Sequence, residues 1–352
     1  MLKKIIIYTS LILLCLLTAF FVYKIRIDNP EKIEIKTTNV EPAKFDRNFI
    51  SYDFSPISSV SDSISKHLIL PRIIQSESEL IYILDLKDNR VYRFTKSGKL
   101  LNTIGKGKGR GPGEMLHANG FYVNNDRIWV IDHRLFNTNR FRLNGTYEHT
   151  FTSKYRPIRI AGSKDQLVIK TIADEFLFKR VDFQGKVLGE FGNFADNQVK
   201  NPLSFTGQIV MRSNTTIYIP NIASLIFFYR ADTLYHIAKR PDGKNFKSSI
   251  NRSSEDRKFY RAPEADIEAR STTIYSDKLY IAEFKKNVKN DSDEILSQSQ
   301  TFVDVYNAKT GRYQHSFHTP EPAREIWLDD ELLLLIDDKT DDVKAYNYVV
   351  NK

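Results

Sequence analysis

The chain alternates short runs of apolar and aromatic residues with polar turns, and the runs are five or six residues long, the length and period of half-buried β-strands rather than of helices. The clearest unit reads Ile81-Tyr82-Ile83-Leu84-Asp85, then Arg90 to Phe94, then Ser97-Gly98-Lys99 leading into Leu100 to Gly105. A second unit repeats it: Ile128-Trp129-Val130-Ile131-Asp132, Asn139 to Leu143, Asn144-Gly145, and Tyr147 to Phe151. Further copies start at Leu167, Ile217, Leu279 and Leu333, so six starts lie 39 to 62 residues apart. Another apolar run precedes each: Arg72 to Ile74, Gly120 to Val123, Ile158 to Ile160, Ile209 to Met211, Thr272 to Tyr275 and Glu325 to Leu328. Four strands per unit at that spacing predict the blades of a propeller.

The sixth unit runs out after Val343 to Val349, leaving it one strand short. Phe49 to Phe54 alternates apolar with polar residues ahead of the first unit, and it is expected to complete blade six and close the ring. Closure removes the open strand edges that an array would expose. A two-sheet sandwich is the competing all-β reading, but it does not account for six units of similar length. The uneven spacing places insertions between Arg240 and Ala269 and between Lys285 and Ser299.

The first residues follow another rule. Met1-Leu2-Lys3-Lys4 is followed by an uncharged stretch from Ile5 to Tyr23, before Lys24 and Arg26. As a helix it spans roughly 28 Å, one bilayer core. An uncleaved signal anchor is the favoured reading. A cleaved signal peptide with Leu17-Thr18-Ala19 at its end competes, as does a lipoprotein anchored through Cys15, where Leu14 stands in place of the expected small residue. The expected organisation is therefore an anchor helix over 1–24, a charged tether with Pro30 and Pro42 over 25–47, and an all-β, six-bladed propeller over 48–352.

Composition agrees and narrows the chemistry. Eighteen Tyr and 23 Phe favour strands over helices. Cys15 is the sole cysteine, so beyond the leader the chain has no disulfide, no thiol nucleophile and no Cys-based zinc site. The formal charge is +9, but the basic residues are dispersed and do not form the stripe that nucleic acid requires.

The most distinctive segment is Gly105-Lys106-Gly107-Lys108-Gly109-Arg110-Gly111-Pro112-Gly113-Glu114. It lacks the Lys-Ser or Lys-Thr of a phosphate-binding P-loop, and it is expected to be a tight crossing between blades. With the strand pair ending in Ile131-Asp132, its Gly109 to Glu114 portion resembles the inter-blade turn of exported six-bladed propeller proteins common in Bacteroidetes, distant relatives of NHL-repeat propellers. That resemblance implies a propeller outside the cytoplasmic membrane. Many such proteins are lipoproteins, a feature this leader lacks, so single-pass anchoring with the propeller on the periplasmic face is the expectation.

Catalytic residues do not stand out. Asp85, Asp132, Thr171, Asn221, Glu283 and Asp337 close the second strands; they are expected to be turn formers, with a ring of metal-binding carboxylates as the alternative. His315 and His318 would point to opposite faces of a strand, so no metal site and no cofactor are expected. Nine residues before the repeat starts stand Arg72, Asn119, Ile158, Gln208, Arg270 and Arg324, with Arg159 beside Ile158. At the head of the inner strands, Arg72, Asn119, Arg159, Gln208, Arg270 and Arg324 would ring one mouth of the channel, where guanidinium groups suit a carboxylate or phosphate. Pairing with local carboxylates such as Glu325 or Glu268 is the competing expectation. The sequence thus points to a monomeric, non-catalytic module that docks a protein, peptide or glycan, with a metal-dependent lyase or lactonase as the alternative.

Overall fold

A computed structural model of the chain describes residues 44–351, apart from 125, 173, 196–197, 199–200, 247–249, 255–256, 262–264, 287, 290–294 and 298. The expected anchor over 1–24 and the tether up to residue 43 lie outside the described residues. No helix among those described is long and apolar enough to cross a membrane.

Six four-stranded antiparallel sheets surround a central channel. Their inner strands are Pro71–Glu77, Ala118–Val123, Arg156–Gly162, Gly207–Arg212, Ile267–Tyr275 and Ala323–Leu328. In blades one to five the four strands follow chain order from the channel outward. Blade six takes its outer strand from Tyr52–Pro56, which pairs with Val343–Val350 (Tyr52 opposite Val350, Pro56 opposite Tyr346). The closing strand thus begins three residues after Phe49. Phe49 itself bridges Ser316 in the outer strand of blade five, and the Ile50 N–H donates to the Ser316 carbonyl at 2.8 Å.

Alternation sends each strand's apolar residues to its two faces, and those faces meet between neighbouring blades. Among the described residues six apolar clusters result, one at each blade interface. Ile83, Phe94, Leu334 and Ile336 pack between blades six and one, over which the helix Ser58–Ser65 lays Val60 and Ile64. The seam of blades three and four is the most aromatic, with Phe178, Phe191, Phe194, Phe205, Tyr218, Phe227, Tyr229 and Phe246.

The last residues of the expected tether sit on the propeller. Phe45 meets the Tyr313 ring edge-on at 5.4 Å. The Arg47 guanidinium grips Asp242 (2.8 and 2.9 Å) and Asp304 (2.9 and 3.1 Å). These attachments span 195 and 257 residues of sequence, beyond the reach of local patterning. Both expected insertions contain strand pairs, Ile250–Ser254 with Arg257–Arg261 and Val288–Lys289 with Ile295–Ser297.

The glycine run is the crossing from blade one to blade two. Gly105, Gly107 and Gly113 adopt φ of +97°, +89° and +81°, a region that side chains oppose. Glu114 folds back so that its carboxylate accepts the Gly111 N–H at 2.8 Å, and a Cβ on Gly109 would lie 2.0 Å from that carboxylate. The segment is a turn in which the N–H groups of Lys106, Gly109, Gly111 and Glu114 bond to Gly113, Met115, Glu114 and Gly111 respectively.

Candidate functional site

Five of the six inner strands carry a β-bulge near their heads. The register slips between Pro71 and Ile73, Ala118 and Gly120, Pro157 and Arg159, Ala269 and Ser271, and Ala323 and Glu325. The extra residues are Arg72, Asn119, Ile158, Arg270 and Arg324. A bulge re-aims the side chain it carries, here at the mouth of the channel. Blade four has no bulge, and Gln208 pairs regularly with Ile219. Arg159 and Gln208 therefore belong one residue further into the channel, level with Ile73, Gly120, Ser271 and Glu325. Constant spacing in the sequence concealed these two levels.

All six expected residues, Arg72, Asn119, Arg159, Gln208, Arg270 and Arg324, line one cavity of about 570 Å³ together with Glu77 and Glu325. Their charges are unevenly matched. Arg72 pairs with Asp341 at 2.7 Å and Arg270 with Asp338 at 2.8 Å, while Arg324 contacts both aspartates. The carboxylates come from the turn after the second strand of blade six, not from Glu325 or Glu268, the partners expected from sequence proximity. Glu268 pairs with Lys286 at 3.3 Å instead. Blades five, six and one thus hold arginines that are already engaged. Desolvation lowers the Arg270 pKa, opposed by Asp338, and its guanidinium lies 3.4 Å from the centre of the Phe284 ring.

Blade three, across the channel from blade six, differs. Arg159 donates to Gln208 Oε1 at 2.9 Å and to the Ile158 carbonyl at 2.8 Å, and it forms no ion pair among the described residues. Gln208 is held in turn by donating to the Arg270 carbonyl (2.8 Å), and Asn119 by donating to the Ile158 carbonyl (3.2 Å). Burial pulls Arg159 below its ordinary pKa, with only the field of Glu325 opposing it. Glu325 is pushed up to about 8 by burial, with the Ser271 hydroxyl, Arg159 and the Ile74 backbone pulling the other way.

The residues that close the second strands divide by role. Asp132 accepts the N–H groups of Leu116, His117, Arg134 and Leu135; Asp85 accepts those of Ile69, Leu70, Lys87 and Asp88. Asp337 takes the N–H groups of Lys339 and Thr340. Thr171 donates to the Phe176 and Leu177 carbonyls, and Asn221 uses its backbone to tie Thr206 to Ala269. Glu283 departs from the turn role: it is buried in an ion pair with buried Arg240 at 3.0 Å, and burial pushes it up to about 7. Among the described residues no three His, Cys, Asp or Glu side chains converge as a metal-holding group.

His315 hydrogen-bonds the Tyr52 hydroxyl at 3.0 Å and His318 stacks on Phe49, so the two serve different contacts. The pair that the sequence did not reveal is His117 and His133, whose rings lie 4.1 Å apart because Asp132 ties the two turns together. His133 is driven down to about 4 by burial, then by His117 and Arg156. Its folded pKa lies below the ordinary 6.5, so its contribution to stability is present above pH 6.5 and is lost as pH falls towards 4. His133→Gln is expected to flatten the loss of stability across that window, measured by urea denaturation at pH 7 and at pH 4.5. An unchanged difference between the two pH values would refute the assignment.

The profile of DUF5128, described as a 6-bladed beta-propeller, matches residues 66–323. A Bacteroides fragilis NCTC 9343 protein described as exported is similar in structure, with a TM-score of 0.54 at 13% identity over 88% of this chain and 98% of its own. A member of the DUF4221 family from Bacteroides vulgatus ATCC 8482 gives a TM-score of 0.57 at 9% identity, over 87% of this chain and 100% of its own. These likenesses are of fold. No curated protein matches the sequence. From the six blades and the profile match over most of its length, the chain belongs to the DUF5128 family of six-bladed β-propellers.

Proposed function

We propose that this propeller is a non-catalytic binding module that works outside the cytoplasm and takes an anionic group, carried by a peptide, a glycan or a small molecule, at the mouth of its channel. The observation that carries the reading is Arg159, a desolvated guanidinium on the cavity wall with no carboxylate in contact among the described residues. A half-buried cation with no contacting counter-charge is costly, and an incoming anion offsets that cost. Gln208 and Asn119 flank it as neutral hydrogen-bonding groups. The uncharged leader from Ile5 to Tyr23 supports a membrane anchor, and the exported Bacteroides fragilis neighbour supports the location.

The test is thermal denaturation of the full-length chain against inorganic phosphate, sulfate, formate, citrate and uronic acids. At least one is expected to raise the melting temperature. Arg159→Gln is expected to weaken that anion about tenfold or more, roughly 1.4 kcal/mol. If no anion stabilises the chain, or if Arg159→Gln binds as the parent does, the reading is wrong.

A further inference from the structure

Behind Arg159 stands a second cation. Lys170, in the second strand of blade three, pairs across the sheet with Arg159. The same register position in the other blades holds Leu84, Ile131, Ile219, Ala282 and Ile336, each opposite the corresponding inner-strand residue. Those five side chains are 0 or 1% exposed, and Lys170 is 1% exposed. A lysine therefore occupies a position that the repeat otherwise gives to aliphatic core.

Its ammonium has no hydrogen bond or ion pair among the described residues. It lies 5.7 Å from the centre of the Tyr218 ring, whose hydroxyl is committed to the Phe205 carbonyl. A ring face offsets part of the cost of burying a cation but brings no counter-charge. Burial, and then the neighbouring Arg159, push Lys170 down to about 7. A buried and a half-buried basic group thus stand side by side at the seam of blades three and four. The aspartates that could neutralise them, Asp338 and Asp341, are spent on Arg72, Arg270 and Arg324.

We infer that Lys170 is a positioning residue of the channel site, backing Arg159 so that the site selects a doubly charged oxyanion, of the kind a phosphate monoester carries, over a singly charged carboxylate. This rests on the anion-binding reading above. A single negative charge offsets Arg159 and leaves Lys170 uncompensated; a second offsets both, and in a poorly hydrated wall the difference reaches across one strand spacing. Glu325, which faces Arg159 from blade six, does not cancel the pair while it remains protonated. Because Lys170 is only partly charged at neutral pH, arrival of a dianion also draws in a proton.

The experiment is calorimetry on the full-length chain at pH 7 with sulfate as the dianion and formate as the monoanion, in two buffers of different ionisation heat. The parent is expected to bind sulfate about tenfold or more tightly than formate and to take up a fraction of a proton with it. Lys170→Met restores the aliphatic character of the other blades; it is expected to lose most of that sulfate preference and the proton uptake, with formate affinity within about twofold. Lys170→Gln serves as a second variant of different packing. If both variants bind sulfate and take up protons as the parent does, Lys170 only packs and the inference is overturned. If the parent binds the two anions equally, the inference falls while anion binding stands. If it binds neither, the inference falls, and the anion-binding reading falls with it only where phosphate, citrate and the uronic acids also leave the melting temperature unchanged.

Discussion

Asp132→Ala is expected to destabilise the propeller by about 4 kcal/mol, because one buried carboxylate holds four backbone N–H groups that have no substitute acceptor. Asp132 is 0% exposed. One of its oxygens accepts from Leu116 and His117 on the incoming crossing, and the other from Arg134 and Leu135 in its own turn. Alanine leaves those donors without the carboxylate that they share. Asparagine retains one acceptor oxygen and replaces the other with a donor, so Asp132→Asn should lose roughly half as much. Urea denaturation midpoints of the two variants and the parent measure the effect. A midpoint for Asp132→Ala within error of the parent would mean that these turns are held by something else. Asp85 has the same four-donor arrangement one blade earlier, and its alanine variant should behave alike.

The second large effect lies where the chain joins the ring. Arg47→Ala is expected to cost about 3 kcal/mol. Its side chain is 11% exposed and that of Asp304 is 0% exposed, so removing the guanidinium strands a carboxylate away from water. Ser316 Oγ, 2.6 Å from Asp304, is left as a lone neutral donor. Burial alone would lower the arginine's pKa, but Asp242 and Asp304 overcome it and hold the group well above its ordinary value. Arg47 also covers the Phe302 ring at 4.2 Å, so part of the loss is packing. Arg47→Ala combined with Asp304→Asn separates the two parts: removing the stranded charge should recover more than half of the loss. If the double variant is no more stable than Arg47→Ala, the penalty is not one of charge burial.

Much of the architecture was present in local pattern. Alternation over five or six residues depends only on neighbours along the chain, and six repetitions of it marked the blades, their inner strands and the need for an added strand. The fixed offset from each repeat start, with Arg159 taken one place beyond it, also placed Arg72, Asn119, Arg159, Gln208, Arg270 and Arg324 on one cavity, since inner strands of a closed ring share an axis.

What pattern left out is what depends on residues distant in sequence. The bulge in five inner strands, missing from the fourth, inserts one residue against the partner strand; apolar alternation is too coarse to register it, and only the ladder shows that Arg159 and Gln208 stand deeper than Arg72 and Arg324. Asp338 and Asp341 reach Arg270 and Arg72 only because the ring is closed, which brings blades five and one to either side of blade six. Lys170 reads in sequence as an ordinary polar residue near a strand end, and its burial comes with the seam to blade four, where the Tyr218 ring faces its ammonium. The sequence by itself determined the number of blades and their principal strands, because strand formation is a local balance of side-chain period and turn chemistry. The tertiary structure alone decided which charges are paired and which are not, because electrostatic energy in a desolvated wall depends on distance through space.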